Sequence, residues 1–288
     1  MTDIYTVKTP AKLNLRLKVT GRRADGYHEL VSIMVPVGLC DLLTFSVLPR
    51  EGVELECDGY RVPCDAGNLV YMAAQAFFER TGIREGISIR LTKNIPVAAG
   101  MGGGSSDAAA ALKTLNRIWS APLPHAELED MALKLGADVP FFLECMPSLA
   151  TGVGEILEPL EWWPEIWYVI VTPPVEVSTS WVYSHLRLEL TQGEYDFTIK
   201  QLREHFPFSV SKILENDLEN VTIARYPVID AVKRRLRDAG AEGALMTGSG
   251  PSVFGLFSTL ESAVSAQQDL ISQDLGDIFV AGNWEEES

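Results

Sequence analysis

Apolar and polar residues alternate strictly over positions 11–19. Ala11, Leu13, Leu15, Leu17 and Val19 hold one parity; Lys12, Asn14, Arg16 and Lys18 hold the other. Period-2 alternation is the signature of a half-buried strand, whose successive side chains point to opposite faces. It puts Lys12 and Asn14 on one face, away from the core. That face is either solvated, the common fate of strand lysines, or a working surface. Val31, Ile33, Val35, Val37 and Leu39 alternate again in a second strand, and residues 42–48 read as another. Between the first two lies GRRADGYHEL (21–30), where Asp25-Gly26 marks a turn and Tyr27 and His28 are candidates for an exposed loop.

Further on, Asn68 can cap a helix with the apolar stripe Leu69, Met72, Ala73, Ala76 and Phe77. Ile87, Ile89 and Leu91 alternate with Ser88, Arg90 and Thr92. That strand delivers the chain to Pro96 and the glycine-rich stretch NIPVAAGMGGGSSDAAAAL (94–112). Ser105, Ser106 and Asp107 are favoured N-cap types, and the helix after them runs to about Trp119. Leu128, Met131, Ala132 and Leu135 form another helical stripe, which Gly136 ends as a C′ glycine. In GADVPFFL (136–143), Asp138 precedes Pro140 and is placed to cap the next helix or to do chemistry.

Residues 152–164 mix Gly, Pro and Glu and read as a transition between lobes. Beyond them the pattern predicts a strand at 167–171, a helix near 178–187, a polar stretch at 191–194 and a helix over 228–239. A second glycine turn, TGSGPSVFGLF (247–257), is followed by a helix over 259–272 and a short strand at 279–281. Strands and helices intermix without regular βαβ alternation, so the fold class is α+β in two lobes, with domains 1–157 and 158–288.

Composition narrows the functional classes. The 288 residues are 47% hydrophobic and 22% charged, as in ordinary globular proteins. A net charge of −15 disfavours binding to nucleic acid or an acidic membrane surface, so neither is expected as a partner. An anionic substrate then needs a local basic patch, and Lys8, Lys12, Arg16, Lys18, Arg22 and Arg23 face only Asp3 near the start. Cys40, Cys57, Cys64 and Cys145 are scattered, with no metal-ligand spacing or disulfide framework. With no signal peptide and no bilayer-length apolar run, a reducing, cytoplasmic setting is expected.

The glycine-rich stretch is the strongest chemical candidate. A glycine loop opening a helix attracts phosphate, because the first amides of a helix have no intrahelical acceptor. The common ATP loop is absent, since no Gly-Lys dipeptide occurs in the chain. The dinucleotide fingerprint fails because Ser105 stands where its third glycine belongs. The protein-kinase set fails for want of HRD and DFG. What remains is a Gly-Gly-Ser-Ser helix start, which needs positive charge on the phosphates and an oriented hydroxyl nucleophile. Lys12 can supply the first and Asp138 the second.

At this point the chain resembles the GHMP kinase superfamily of small-molecule kinases. The resemblance rests on PAKLNLRLKVTGRRADGYHEL (10–30), the 94–112 stretch, LGADVPFFL (135–143), TGVGEIL (151–157), VSTSWVY (177–183), NDLE (216–219) and the TGSGPSVFGLF turn. The glycine loop indicates the superfamily. The first stretch together with GADVPFF and NDLE points to the branch that phosphorylates the 2-hydroxyl of a cytidine-diphosphate-linked methylerythritol, in non-mevalonate isoprenoid synthesis.

The resemblance implies an ATP-binding N-terminal lobe, a smaller ferredoxin-like C-terminal lobe, and the use of ATP and Mg2+. It implies Lys12 and Asp138 as the catalytic pair. It places ATP along Pro96, Gly100, Gly102, Gly103, Gly104, Ser105 and Ser106, with Ser106 nearest the metal. Asn14, Tyr27, His28 and Tyr183 are implied as substrate contacts, the aromatic rings around the cytosine, and the TGSGPS turn would close the site. One departure from the pattern is Cys145-Met146-Pro147, where glycine or other small residues are usual. Alternative readings are another kinase of the superfamily, or a nucleotide-binding protein without catalysis.

Overall fold

The computed structural model describes residues 4–120, 122–186 and 210–286; Arg187 and the polar stretch 191–194 lie outside them. Two compact units emerge. One comprises Met1–Lys12, Gly38–Val97 and Gly102–Met146; the other comprises Leu13–Val37, Ala98–Met101 and Pro147–Ser288. Two long strands run through both, β1 (Ile4–Arg22) and β2 (His28–Leu48). The two strands expected at 31–39 and 42–48 are thus one. The reason is parity: Val35, Val37, Asp41, Leu43 and Phe45 are buried at one parity, and at that parity only Leu39 between them is partly exposed.

In the first unit, the end of β2 runs antiparallel to β4 (Gly86–Lys93), from Leu42 opposite Thr92 to Leu48 opposite Gly86. On its other side β4 pairs in parallel with β3 (Val53–Gly59), a strand the sequence pattern did not reveal. Leu43, Phe45, Ile87, Ile89 and Leu91 face the core. Four helices complete the unit: α1 (Leu69–Thr81), α2 (Gly103–Ile118), α3 (His125–Leu135) and α4 (Val139–Glu144). Asn68 caps α1 as expected, accepting from the Val70 amide. Gly136 follows α3 but at φ 168°, an extended conformation open to any residue rather than a left-handed cap. Cys145 does adopt the left-handed form, at φ 53°, as it ends α4. That conformation costs about 1–2 kcal/mol for a residue with a Cβ, which gives the usual glycine there a physical reason.

The second unit contains the β1–β2 hairpin around Asp25-Gly26, with Gly26 at φ 93°. It also holds the pair β5 (Ser148–Thr151) and β6 (Ile156–Pro159), with β5 lying along β2. Part of the expected transition at 152–164 is therefore strand. β7 (Trp167–Thr172), β9 (Ala244–Met246), β10 (Val253–Phe257) and β11 (Asp277–Ala281) make an antiparallel sheet in the order β11-β7-β10-β9. With helical chain between β7 and β9 and α8 (Leu260–Ile271) between β10 and β11, this is the ferredoxin-like strand order. Its central strand β7 is buried at Tyr168, Val169, Ile170 and Val171, so it reads as a continuous apolar run. The short β8 (Glu215–Asn216) lies parallel to β1, and α5 (Thr179–His185), α6 (Glu219–Arg225) and α7 (Val228–Asp238) complete the unit. Among the described residues no helix is long and apolar enough to cross a membrane.

Candidate active site

The glycine stretch begins helix α2 three residues earlier than a Ser105 N-cap would place it. The N-cap is Gly102, in the left-handed region at φ 68°, and no side chain caps the helix. The Ser106 amide is the first to find its helical acceptor, Gly102 O at 2.9 Å. The amides of Gly103, Gly104 and Ser105 precede it, where a helix has no internal acceptors to offer. Ser105 and Ser106 therefore sit in the first turn, not ahead of it, and Asp107 is buried within the helix.

Lys12 lies against this helix start. A Cβ on Gly102 would stand 3.2 Å from Lys12 Cγ and 3.0 Å from the Phe142 ring. A methyl there would require its neighbours to give by a few tenths of an ångström, and the positive φ separately favours glycine. Lys12 is 4% exposed, so its face of β1 is not solvated at this point. Its Nζ stands 3.8 Å from Asp138 Oδ2, and the aspartate side chain remains 41% exposed. Asp138 occupies the N-cap position of α4 yet makes no capping hydrogen bond. The carboxylate is directed to the lysine and to accessible space, not to its own helix.

A third layer underlies the loop. Lys93 bonds Asp41, and Asp107 Oδ2 at 2.8 Å, with all three side chains buried. Burial pushes the Asp107 carboxyl up to about 7, against the pull of the Lys93 charge, with Asp41 raising it further. Sequence reading passed over Lys93 and Asp41, although a signal exists. Lys93 continues the inward parity of Ile87, Ile89 and Leu91; Asp41 continues that of Val35 and Val37. Opposite charges at two core-facing positions call for a buried pair.

In the second unit, Asn14 is 4% exposed and tightly held. Its backbone N–H donates to Thr247 Oγ1 at 2.9 Å, and its side-chain Nδ2 donates to Ser32 Oγ at 2.8 Å. Thr247 begins the TGSGPS turn and also donates to Gly100 O at 3.4 Å, while the Ser252 amide reaches Ala99 O at 3.4 Å. The turn thus packs on Ala99 and Gly100. It is braced from behind by NDLE: Asn216 donates to Met246 O and Gly248 O, each at 2.8 Å, and Glu219 accepts from the Met246 amide at 3.0 Å.

His28 and Tyr183 come together, with ring centroids 5.0 Å apart and planes tilted by 30°. Burial, and then the nearby Arg22 charge, lower the His28 pKa, so its ring is neutral at neutral pH. Tyr27 points outward and is 63% exposed. Pro96, at the entrance to the glycine stretch, is buried.

The residues present fit a nucleotide triphosphate: uncapped amides at a helix start, a lysine beside them, and an accessible carboxylate. Among the described residues no group of three or more His, Cys, Asp or Glu could hold a metal ion.

Comparison with known proteins agrees. The GHMP kinases N terminal domain family matches residues 68–145, and the GHMP kinases C terminal family matches 198–275. A 4-diphosphocytidyl-2-C-methyl-D-erythritol kinase of Syntrophotalea carbinolica is 46% identical over 92% of this chain and 93% of its own. One from Geobacter metallireducens is 47% identical with the same coverage. A crystal structure of 4-(cytidine 5'-diphospho)-2C-methyl-D-erythritol kinase superposes with a TM-score of 0.81 at 34% identity, covering 98% of this chain and 100% of that one. Homoserine kinase from Cytophaga hutchinsonii shares the fold, with a TM-score of 0.76 at 22% identity. The chain belongs to the GHMP kinases and, within them, to the family of 4-diphosphocytidyl-2-C-methyl-D-erythritol kinases.

Proposed function

We propose that this chain transfers the terminal phosphoryl group of ATP to the 2-hydroxyl of 4-diphosphocytidyl-2-C-methyl-D-erythritol, in the cytoplasm. The observation that carries the reading is the Lys12–Asp138 pair at the start of α2. Asp138 accepts or orients the proton of the substrate hydroxyl. Lys12, fixed by burial, stabilises negative charge on that oxygen and on the group in transfer. The amides of Gly103, Gly104 and Ser105 hold phosphate oxygens, with Pro96 and Gly100 shaping the approach. Ser106 would be the side chain to hold Mg2+, which would neutralise phosphate charge when bound with ATP. Asn14 contacts the substrate, and Tyr27, His28 and Tyr183 hold its cytosine. Catalysis of this kind is mostly positioning and electrostatics.

The functional division falls near residue 157, with residues 1–157 as the ATP-binding domain and 158–288 as the C-terminal domain; the two family matches lie one on each side. The test is incubation of the chain with Mg-ATP and the cytidylyl substrate. Stoichiometric ADP, and a new phosphate monoester on the tertiary alcohol by phosphorus NMR, are expected. No transfer to this substrate, with transfer to mevalonate or homoserine instead, would replace the substrate assignment.

A further inference from the structure

Three buried charged side chains take no part in the chemistry above. Those of Lys93, Asp41 and Asp107 are 4%, 0% and 2% exposed. Burying ions costs desolvation that apolar packing of the same volume avoids, so such a cluster calls for a reason.

What the cluster joins supplies one. Asp41 Oδ1 accepts from the Asn94 and Ile95 amides, at 2.6 and 2.7 Å, where the glycine stretch begins. Asp107, 14 residues beyond Lys93, lies where that stretch has become helix. Lys93 bonds both carboxylates, and Thr9 Oγ1 donates to Asp107 Oδ1 at 2.6 Å. The two ends of the 94–107 segment are thereby tied to one ammonium. Lys93 Nζ also lies 2.7 Å from where a Cβ on Gly103 would stand, directly beneath the first residue of α2. A cation at a helix N-terminus opposes the helix dipole, so helix stability alone does not favour a lysine there.

We infer that Lys93, Asp41 and Asp107 are positioning residues that pre-set both ends of the glycine segment, so that the amides of Gly103, Gly104 and Ser105 meet the ATP phosphates without reordering. The inference rests on the reading of this segment as the ATP site. Loop ordering that is already complete in the free protein need not be drawn from binding energy, so its loss falls on ATP affinity.

The test uses full-length Thr9→Val, Asp107→Asn and Lys93→Met, with KM for ATP, KM for the cytidylyl substrate, kcat and urea stability measured for each. Thr9→Val keeps the shape and removes one bond to Asp107, so it remains informative where Lys93→Met does not fold. The expected result is an ATP KM raised by about tenfold or more in the folded variants, with the substrate KM within about twofold of wild type. Folded variants with an unchanged ATP KM, or with both KM values rising together, overturn the inference. Calorimetry of ATP binding to the wild-type chain separates the two levels. No binding there takes down the site reading and the inference together; normal binding with unaffected variants takes down the inference alone.

Discussion

Lys12 Nζ and Asp138 Oδ2 are 3.8 Å apart, and the two side chains differ sharply in exposure, 5% against 41%. A structural ion pair buried for stability would enclose both partners. On the proposed reading, the charge that would stay fixed is enclosed and the group that would meet the substrate proton is accessible. Asp138→Asn keeps the shape and removes the base. It is expected to lower kcat by about 100-fold or more while leaving ATP affinity by calorimetry within about twofold. Near-normal turnover would remove Asp138 from the chemistry.

Gly102 is where Lys12, Phe142 and the start of α2 converge. Gly102→Ala places a methyl 3.0 Å from the Phe142 ring and 3.2 Å from Lys12 Cγ, at a φ of 68°. The backbone conformation alone costs about 1–2 kcal/mol. Urea unfolding should show a loss of at least that size. Turnover measured well below the melting range should fall further, because the alanine displaces the lysine stem. A stability loss with unchanged kcat would mean that Lys12 need not be held where it is.

The pairing of Lys12 with Asp138 came from the family resemblance, while sequence pattern gave the two-lobed α+β class and the positions of most helices. It did so because period-2 and helical stripes survive wherever one face is buried, as at Ile87, Ile89 and Leu91. It missed β3, whose polar composition, VELECDG, carries little apolar alternation. It put Ser105 and Ser106 ahead of the helix, because a left-handed glycine at the N-cap leaves no side-chain signature. For the Lys93 cluster the sequence offers only charges at core-facing parity; which charges pair is set by the fold. Residues 41 and 93 are remote in sequence, and only the β2–β4 register sets Asp41 beside the end of β4. The bracing of the TGSGPS turn by Asn216 and Glu219 was likewise invisible, since it runs from side chains to the carbonyls and amide of another segment.

Thr247 links Asn14 to Gly100 through one hydroxyl. Thr247→Val preserves shape but leaves the Asn14 amide without its 2.9 Å acceptor in a buried setting. An unsatisfied buried donor costs about 1–3 kcal/mol. The variant should therefore lose stability of that order in urea unfolding and show a raised KM for the cytidylyl substrate. A normal substrate KM in a destabilised variant would confine Thr247 to a purely structural role.

His28 gives a pH signature. Its folded-state pKa is lowered, by burial first and by Arg22 second. Between the folded value and the unfolded value of about 6.5, the unfolded chain binds more protons, so its contribution to stability rises with pH across that window. That contribution is fully present above about pH 6.5 and is lost as pH falls through the lowered value. Cytosine recognition should follow the same course, because only the neutral ring offers both an acceptor and a donor to the base. The inhibition constant of cytidine against the cytidylyl substrate should be flat from about pH 8 to 6.5 and rise only as pH falls through the lowered folded-state value. In His28→Gln the constant should be weaker throughout and lose that rise. Cytidine itself is the suitable probe, because it carries no phosphate that titrates in the same range. A rise that persists unchanged in His28→Gln would assign the pH dependence to another group and leave Tyr27 and Tyr183 to carry the base.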